Sequence, residues 1–261
     1  MAYKLEFNEV SHTYASSVGA VEALAGFDLQ VADGESVALI GPSGSGKTTA
    51  LLLATGLLQP TSGSVVVNGD NISRVRPETA LILQDYGLLN WKTVSENVAL
   101  GLRIRKISRA ERQARTAVAL EQVGLLDCAS MYPDELSGGM RQRVALARAL
   151  TLDADLLLMD EPLSSLDAML REAMQDTLLA LWRKRGYAQV LVTHSIEEAA
   201  FLGSRILVMD ESPGRVKTEV ANPGMGELTY RSSSEFFTVC QALRDALSDR
   251  VVTDDAGGSD A

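Results

Sequence analysis

Apolar and polar positions change their spacing several times along the chain. Lys4-Leu5-Glu6-Phe7 alternates with the period of a strand that buries one face, and Ser36-Val37-Ala38-Leu39-Ile40 is a continuous strand-like run behind an Asp33-Gly34 turn. Residues 3–40 are therefore expected to be β-rich. Thr48 to Leu58 reads as a helix stopped by Gln59-Pro60. Val65-Val66-Val67 runs into Asn68-Gly69, a pair that tolerates left-handed backbone, so a strand and a tight hairpin turn are expected there.

The middle of the chain has a different character. From Ser95 to Gly124 it is charged and nearly free of glycine and proline, which predicts helix. Ser108 with Glu111 fits a capping box, and Val118, Leu120 and Val123 form a partial apolar stripe. This region is expected to be a helical insert, over residues 92–150, in an α/β body. Apolar runs return at Asp155 to Asp160, Val190 to Thr193 and Ile206 to Met209. Runs apolar on both faces belong to a parallel sheet covered on both sides. Asp254 to Ala261 is small, acidic and glycine-containing, and a disordered tail is expected over residues 249–261.

Composition narrows the classes of function. A chain of 261 residues with 46% apolar content suits one large α/β domain or one with a smaller insert. The net charge of -10 argues against wrapping nucleic acid, so no nucleic-acid partner is expected. Cys128 and Cys240 lie far apart and form no CxxC pair, so both are expected to be reduced thiols. No run reaches the ~18 apolar residues of a membrane span, and Met1 to Glu6 has no apolar signal core. A role at a membrane would need another chain to supply the span.

Four groups of residues carry candidate chemistry. Gly41-Pro42-Ser43-Gly44-Ser45-Gly46-Lys47-Thr48 follows an apolar strand and opens a helix. Glycines let such a loop turn its amides on an oligophosphate, Lys47 would reach the β- and γ-phosphates, and Thr48 would ligate Mg²⁺. Asp160-Glu161 ends a buried strand, where α/β sheets bind ligands; Asp160 would hold Mg²⁺ and Glu161 would polarise the attacking water. Ser137-Gly138-Gly139 fits an ordinary capped helix start better than a second anion site when read from the residues alone. His194 follows the run from Val190, and Ser195 with Glu198 fits another capping box; the histidine fits a structural role or a contact with a γ-phosphate or water.

Together these residues resemble the ATPase subunit of an ABC transporter over nearly the whole chain. The order is phosphate loop, glutamine loop, serine-glycine signature, Asp-Glu strand end, D-loop and switch histidine. The resemblance implies an α/β P-loop NTPase core with a mostly parallel sheet, an antiparallel β subdomain and an inserted α-helical subdomain, with residues 1–248 as the ATPase domain. It implies that the nucleotide contacts run on to Thr49, and that Tyr14 stacks on adenine, although Tyr14 equally suits packing within a strand. Gln84 matches the glutamine that touches Mg²⁺ or water and senses the membrane partner. Ser137 to Met140 matches the signature that binds the γ-phosphate across a dimer, which reverses the bland reading of Ser137 to Gly139. Ser164 to Asp167 matches the D-loop, and His194 the switch. The implied assembly is a head-to-tail homodimer with two ATP molecules between its subunits, on the cytoplasmic face of the membrane.

Two stretches, Tyr86 to Val94 and Ser212 to Arg215, are similar to subunits that serve nitrate, sulfonate, taurine or aminopyrimidine uptake. The resemblance implies an integral membrane permease seated on the Gln84 to Thr93 region, and an external solute-binding protein acting through it. Leu88, Leu89 and Trp91 suit either anchors for a permease helix or packing of the insert. Met140, Asn90 and Ser195 depart from the commoner family residues; the last two weaken the subgroup match more than the ATPase match. A soluble ABC ATPase acting on DNA or ribosomes, and an ATP-binding regulator without turnover, are the rival readings. The single motif set and the acidic charge disfavour the first, and Glu161 with His194 disfavours the second.

Overall fold

The computed structural model describes residues 3–16 and 19–248. The stretch expected to be a disordered tail lies outside the described residues. The chain opens with a long antiparallel pair, β1 (Tyr3–Ser16) and β2 (Gly19–Ala32). Every second residue turns inward over Leu5 to Phe7 and over Phe27 to Val31, and Phe7 meets Phe27 edge to face at 5.3 Å. Next come β3 (Ser36–Ile40), α1 (Lys47–Thr55), β4 (Ser62–Val67) and the short β5 (Asp70–Asn71). The expected hairpin joins β4 to β5, with Asn68 at φ 53° and Gly69 at φ 82°. These strands form a four-stranded sheet in the order β2-β1-β4-β5.

After β6 (Thr79–Ile82) the chain passes through α2 (Val94–Val98), α3 (Leu100–Ile104), α4 (Arg109–Gln122) and α5 (Gly138–Leu150). It returns through β7 (Leu156–Asp160), α6 (Ala168–Arg185), β8 (Ala188–Val192), α7 (Ile196–Leu202) and β9 (Arg205–Met209). It ends with β10 (Val216–Ala221) and α8 (Ser234–Ser248). The second sheet has the order β10-β9-β3-β8-β7-β6, parallel except for β10. Its central strands are buried on both faces. Leu39, Leu156 and Leu158 pack with Leu51 and Leu53 of α1 and with the antiparallel sheet, while Ile40, Leu157 and Met159 pack with α5, α6 and α7. That two-sided burial is why these strands lack alternation.

Several expectations are corrected. Helix α1 stops at Thr55 rather than Leu58, because Gly56 adopts the left-handed cap at φ 76° and donates to Leu52 and Leu53. The region from Ser95 to Gly124 is helical as expected, in the segments α2, α3 and α4, with Lys106 at φ 57° between α3 and α4. Val118 is exposed, while Leu120 and Val123 are buried. The Ser108 box is half made: its hydroxyl accepts from Glu111 N at 3.3 Å, but the Glu111 carboxylate pairs with Arg115 at 2.8 Å.

Candidate active site

The loop from Gly41 to Gly46 carries the chain from β3 back into α1. Gly46 is the residue before the helix and stands at φ 81°; a Cβ there would lie 2.5 Å from the Ala23 carbonyl oxygen. Gly44 is at φ 83° with nothing within 4 Å of such a Cβ. Helix α1 has no side-chain cap, so its first amides are available to an anion. Lys47 Nζ donates to Gly41 O at 2.9 Å, Pro42 O at 2.6 Å and Ser45 Oγ at 2.9 Å. Burial holds its pKa below the ordinary lysine value, against the opposing pull of Glu161 and Asp160.

Parallel strands deliver their carboxyl ends to one rim, and the polar residues follow them there. Asp160 ends β7, is buried, and accepts from Thr48 Oγ1 at 2.8 Å. Burial raises its pKa, and the Glu161 charge adds to the rise against the Thr48 bond and Lys47. Glu161 follows at φ 48°, with its N–H donating to Val192 O at 2.9 Å. Its Oε2 lies 3.3 Å from His194 Nδ1 and 3.4 Å from Gln84 Nε2. Gln84 comes two residues after β6 and His194 two residues after β8. The strand ends thus bring three residues distant in sequence into one polar group.

Behind His194, the expected Ser195–Glu198 box is also half made. Ser195 Oγ accepts from Glu198 N at 3.2 Å, but the Glu198 carboxylate bonds the Thr193 hydroxyl, whose oxygen accepts from Ser195 N at 3.1 Å. Burial pushes the Glu198 carboxyl up to about 7.

A cleft of about 570 Å³ gathers Tyr14, Gly41, the loop from Ser43 to Thr49, Gln84, Asp160, Glu161 and His194. Tyr14 is 39% exposed, and its hydroxyl is 3.3 Å from Thr49 Oγ1. Pro42 faces a neighbouring hollow beside Val208 and Met209 instead. Ser137, Gly138 and Gly139 are not in the cleft; they start α5, where Ser137 Oγ accepts from Met140 N at 3.2 Å. Val21 and Ala23 line the cleft and were not singled out from the sequence; Ser212 lines it too, although its stretch stands out in the sequence only for its likeness to a transporter subgroup. Gly214 binds Ala23 and Ala25 through its backbone, and it sits so close to Ser45 that no Cβ fits. The Ser212 to Arg215 segment therefore supports the phosphate loop from behind, a contact that only the fold creates.

The segment after Gln84 is tied down from two helices. Asn97 of α2, fully buried, places Nδ2 within 3.1 Å of Leu89 O, 3.0 Å of Lys92 O and 3.0 Å of Thr93 O. Arg148 of α5 donates to Tyr86 O and Gly87 O, both at 2.6 Å. Of the apolar residues weighed as anchors, Leu88 packs against the core, whereas Trp91 is 74% exposed.

A profile of the ABC transporter family matches residues 24–164. The chain belongs to that family. The match includes the phosphate loop, Gln84, the signature and Asp160-Glu161; Tyr14 and His194 fall outside it. This ABC transporter ATPase is 46% identical over 213 residues to the taurine import ATP-binding protein TauB of Burkholderia pseudomallei, covering 82% of each chain. It is 44% identical to the protein of that name from Roseobacter denitrificans, over 78% of this chain and 76% of that one. The dimeric post-hydrolysis structure of the ATP-binding cassette MJ0796 bound to ADP and Pi superposes with a TM-score of 0.77 at 31% identity. It covers 83% of this chain and 98% of that one.

Proposed function

We propose that this ABC ATPase subunit, with Mg²⁺ and as half of a head-to-tail homodimer, powers import of a sulfonate of the taurine class through a membrane permease. The observation that carries the proposal is the convergence of Lys47, the Thr48–Asp160 pair and the Glu161–His194–Gln84 group on one cleft. The substrate class rests on relatives named for taurine import at 44% and 46% identity.

The residues fit a hard cation. The Thr48 hydroxyl and a buried Asp160 carboxylate stand together, and among the described residues no group of three acidic, histidine or cysteine side chains encloses a metal. Such a pair suits Mg²⁺, which takes its other ligands from phosphate and water. Held by Thr48 and Asp160, the ion would supply positive charge that offsets the charge of the nucleotide's phosphates. The chain's own residues supply the rest. Tyr14 stacks on adenine. Lys47 exchanges its carbonyl partners for β- and γ-phosphate oxygens, and the amides from Gly44 to Thr49 hold the remainder. Glu161 orients water in line with the γ-phosphorus and takes its proton as the new P–O bond forms and the bond to ADP breaks. His194 and Gln84 hold the Glu161 carboxylate in place. Ser137 to Gly139 act on the γ-phosphate of the partner subunit, which accounts for their distance from the cleft of their own chain.

The permease docks on the Gln84 to Thr93 region, where Trp91 is its exposed apolar anchor, and an external binding protein delivers the solute. As the ATP-hydrolysing partner of that permease the subunit would sit peripherally on the cytoplasmic face; among the described residues no helix is long and apolar enough to cross a membrane. The decisive measurement is ATP turnover and nucleotide binding by the chain with its permease. Glu161→Gln is expected to bind ATP, dimerise, and turn over at least about 10²-fold more slowly; Lys47→Ala is expected to lose ATP binding. Equal turnover by wild type and Glu161→Gln would refute the role of Glu161, and recovery of the chain with ribosomes instead of a permease would refute the transport reading.

A further inference from the structure

Helix α5 does more than start at the signature. Gln142, on its second turn, is 2% exposed. Its Nε2 donates to the Glu161 carbonyl at 3.0 Å, while its Oε1 accepts from Ser165 N at 3.1 Å and Ser165 Oγ at 2.8 Å. One side chain thus clamps both ends of the turn that carries the carboxylate. That turn needs holding, because Glu161 stands at φ 48°, a region that non-glycine residues occupy only when their surroundings fix them. At the far end of α5, Arg148 grips the Tyr86 and Gly87 carbonyls at 2.6 Å. With that end anchored, a displacement at Ser137 bears on Gln142 instead of sliding the whole helix.

We propose that Gln142 is a positioning residue that makes engagement of one nucleotide align the Glu161 carboxylate of the other site. The proposal rests on the head-to-tail reading above. In that dimer Ser137 to Gly139 touch the partner's nucleotide, and Gln142 lies about 7 Å further along the same helix. Its bond to the Glu161 carbonyl carries the movement of α5 into its own subunit's hydrolytic group. The two sites then fire cooperatively, since each subunit's Glu161 is set by the contact its α5 makes across the interface.

The test is ATP hydrolysis against ATP concentration by the full chain with its permease, alongside binding of a fluorescent ATP analogue. Gln142→Met keeps the volume and removes both polar ends of the clamp. It is expected to bind nucleotide within about twofold of wild type, to lose kcat about tenfold, and to bring a Hill coefficient above 1 down to 1. Ser165→Ala removes only the 2.8 Å hydroxyl contact and is expected to shift both quantities the same way, by less. An unchanged Hill coefficient in Gln142→Met would overturn the proposal; should that variant not fold, an unchanged Hill coefficient in Ser165→Ala overturns it. Non-cooperative hydrolysis by wild type overturns it while leaving the ATPase reading standing, and absence of hydrolysis by wild type overturns both.

Discussion

Glu198 is the residue whose charge the fold treats worst. Its carboxylate is buried behind His194, takes one bond from Thr193, and leaves Oε1 without a hydrogen-bond partner. Burial is the main cause that lifts its pKa to about 7 from an ordinary 4.5, and the Glu161 charge adds to it, against Thr193, Arg171 and His194. A raised folded pKa means that the native state binds the proton more tightly than the unfolded chain. The stability this contributes is complete below about pH 4.5 and is lost as the pH climbs through 7. Glu198→Gln is neutral throughout and keeps an oxygen for Thr193. It is expected to melt about 5–10 °C above wild type at pH 8, the shift for the ~2–3 kcal/mol that a rise from 4.5 to about 7 implies in a domain of this size, and close to it at pH 5. An equal gap at both pH values would show that the titration of Glu198 is not its source.

Elements place the site, and the phosphate loop illustrates how tightly. Gly44 and Gly46 share a left-handed backbone at φ 83° and φ 81°, yet only Gly46 is pressed against β2, where a Cβ would meet Ala23 O at 2.5 Å. Gly44→Ala is expected to cost about 1 kcal/mol, the backbone term alone. Gly46→Ala adds the steric term and is expected to cost roughly 2–3 kcal/mol, about 4–12 °C in a thermal melt. Equal losses in the two variants would mean that β2 yields. This loop was legible in the sequence because its function demands a fixed spacing of glycines beside Lys47 and Thr48. The central strands were legible because burial on both faces leaves an unbroken apolar run. Helix α6 and strands β6 and β10 gave weaker signals: α6 buries Gln175 within its apolar face, and β6 is only four residues long. The roles of Gln142 and of the Ser212 to Gly214 segment depend on partners elsewhere in the sequence, so the local residues, though the second stretch stands out for its likeness to a transporter subgroup, do not disclose those contacts. The left-handed Glu161 is equally silent, for its conformation is imposed by Val192 and Gln142.

At the scale of the molecule, the chain carries the phosphate loop and the serine-glycine signature but does not bring them together. Lys47 is in the cleft and Ser137 to Gly139 stand outside it, at the start of a different helix. In the proposed head-to-tail pair, two sites would form, each taking Lys47 from one subunit and the signature from the other. The relative MJ0796 is known as a dimer bound to ADP and Pi. Crossing the two halves separates this arrangement from one in which each subunit completes its own site. Gly138→Asp suits the purpose, since nothing lies within 4 Å of a Cβ there, so the subunit folds while a carboxylate repels the phosphate. Lys47→Ala disables the other half. In tandem dimers joined by a flexible linker, placing the two substitutions on different subunits leaves one complete site if the sites are shared, and none if each is built within a subunit's own chain and both subunits carry a lesion. Placing both on one subunit reverses this: shared sites are both broken, whereas separate sites leave the untouched subunit active. The expected outcome is about half of wild-type ATP turnover for the first tandem when its sites act independently, and less where hydrolysis is cooperative, with turnover near background for the second. Activity confined to the second tandem would rule out the head-to-tail assembly.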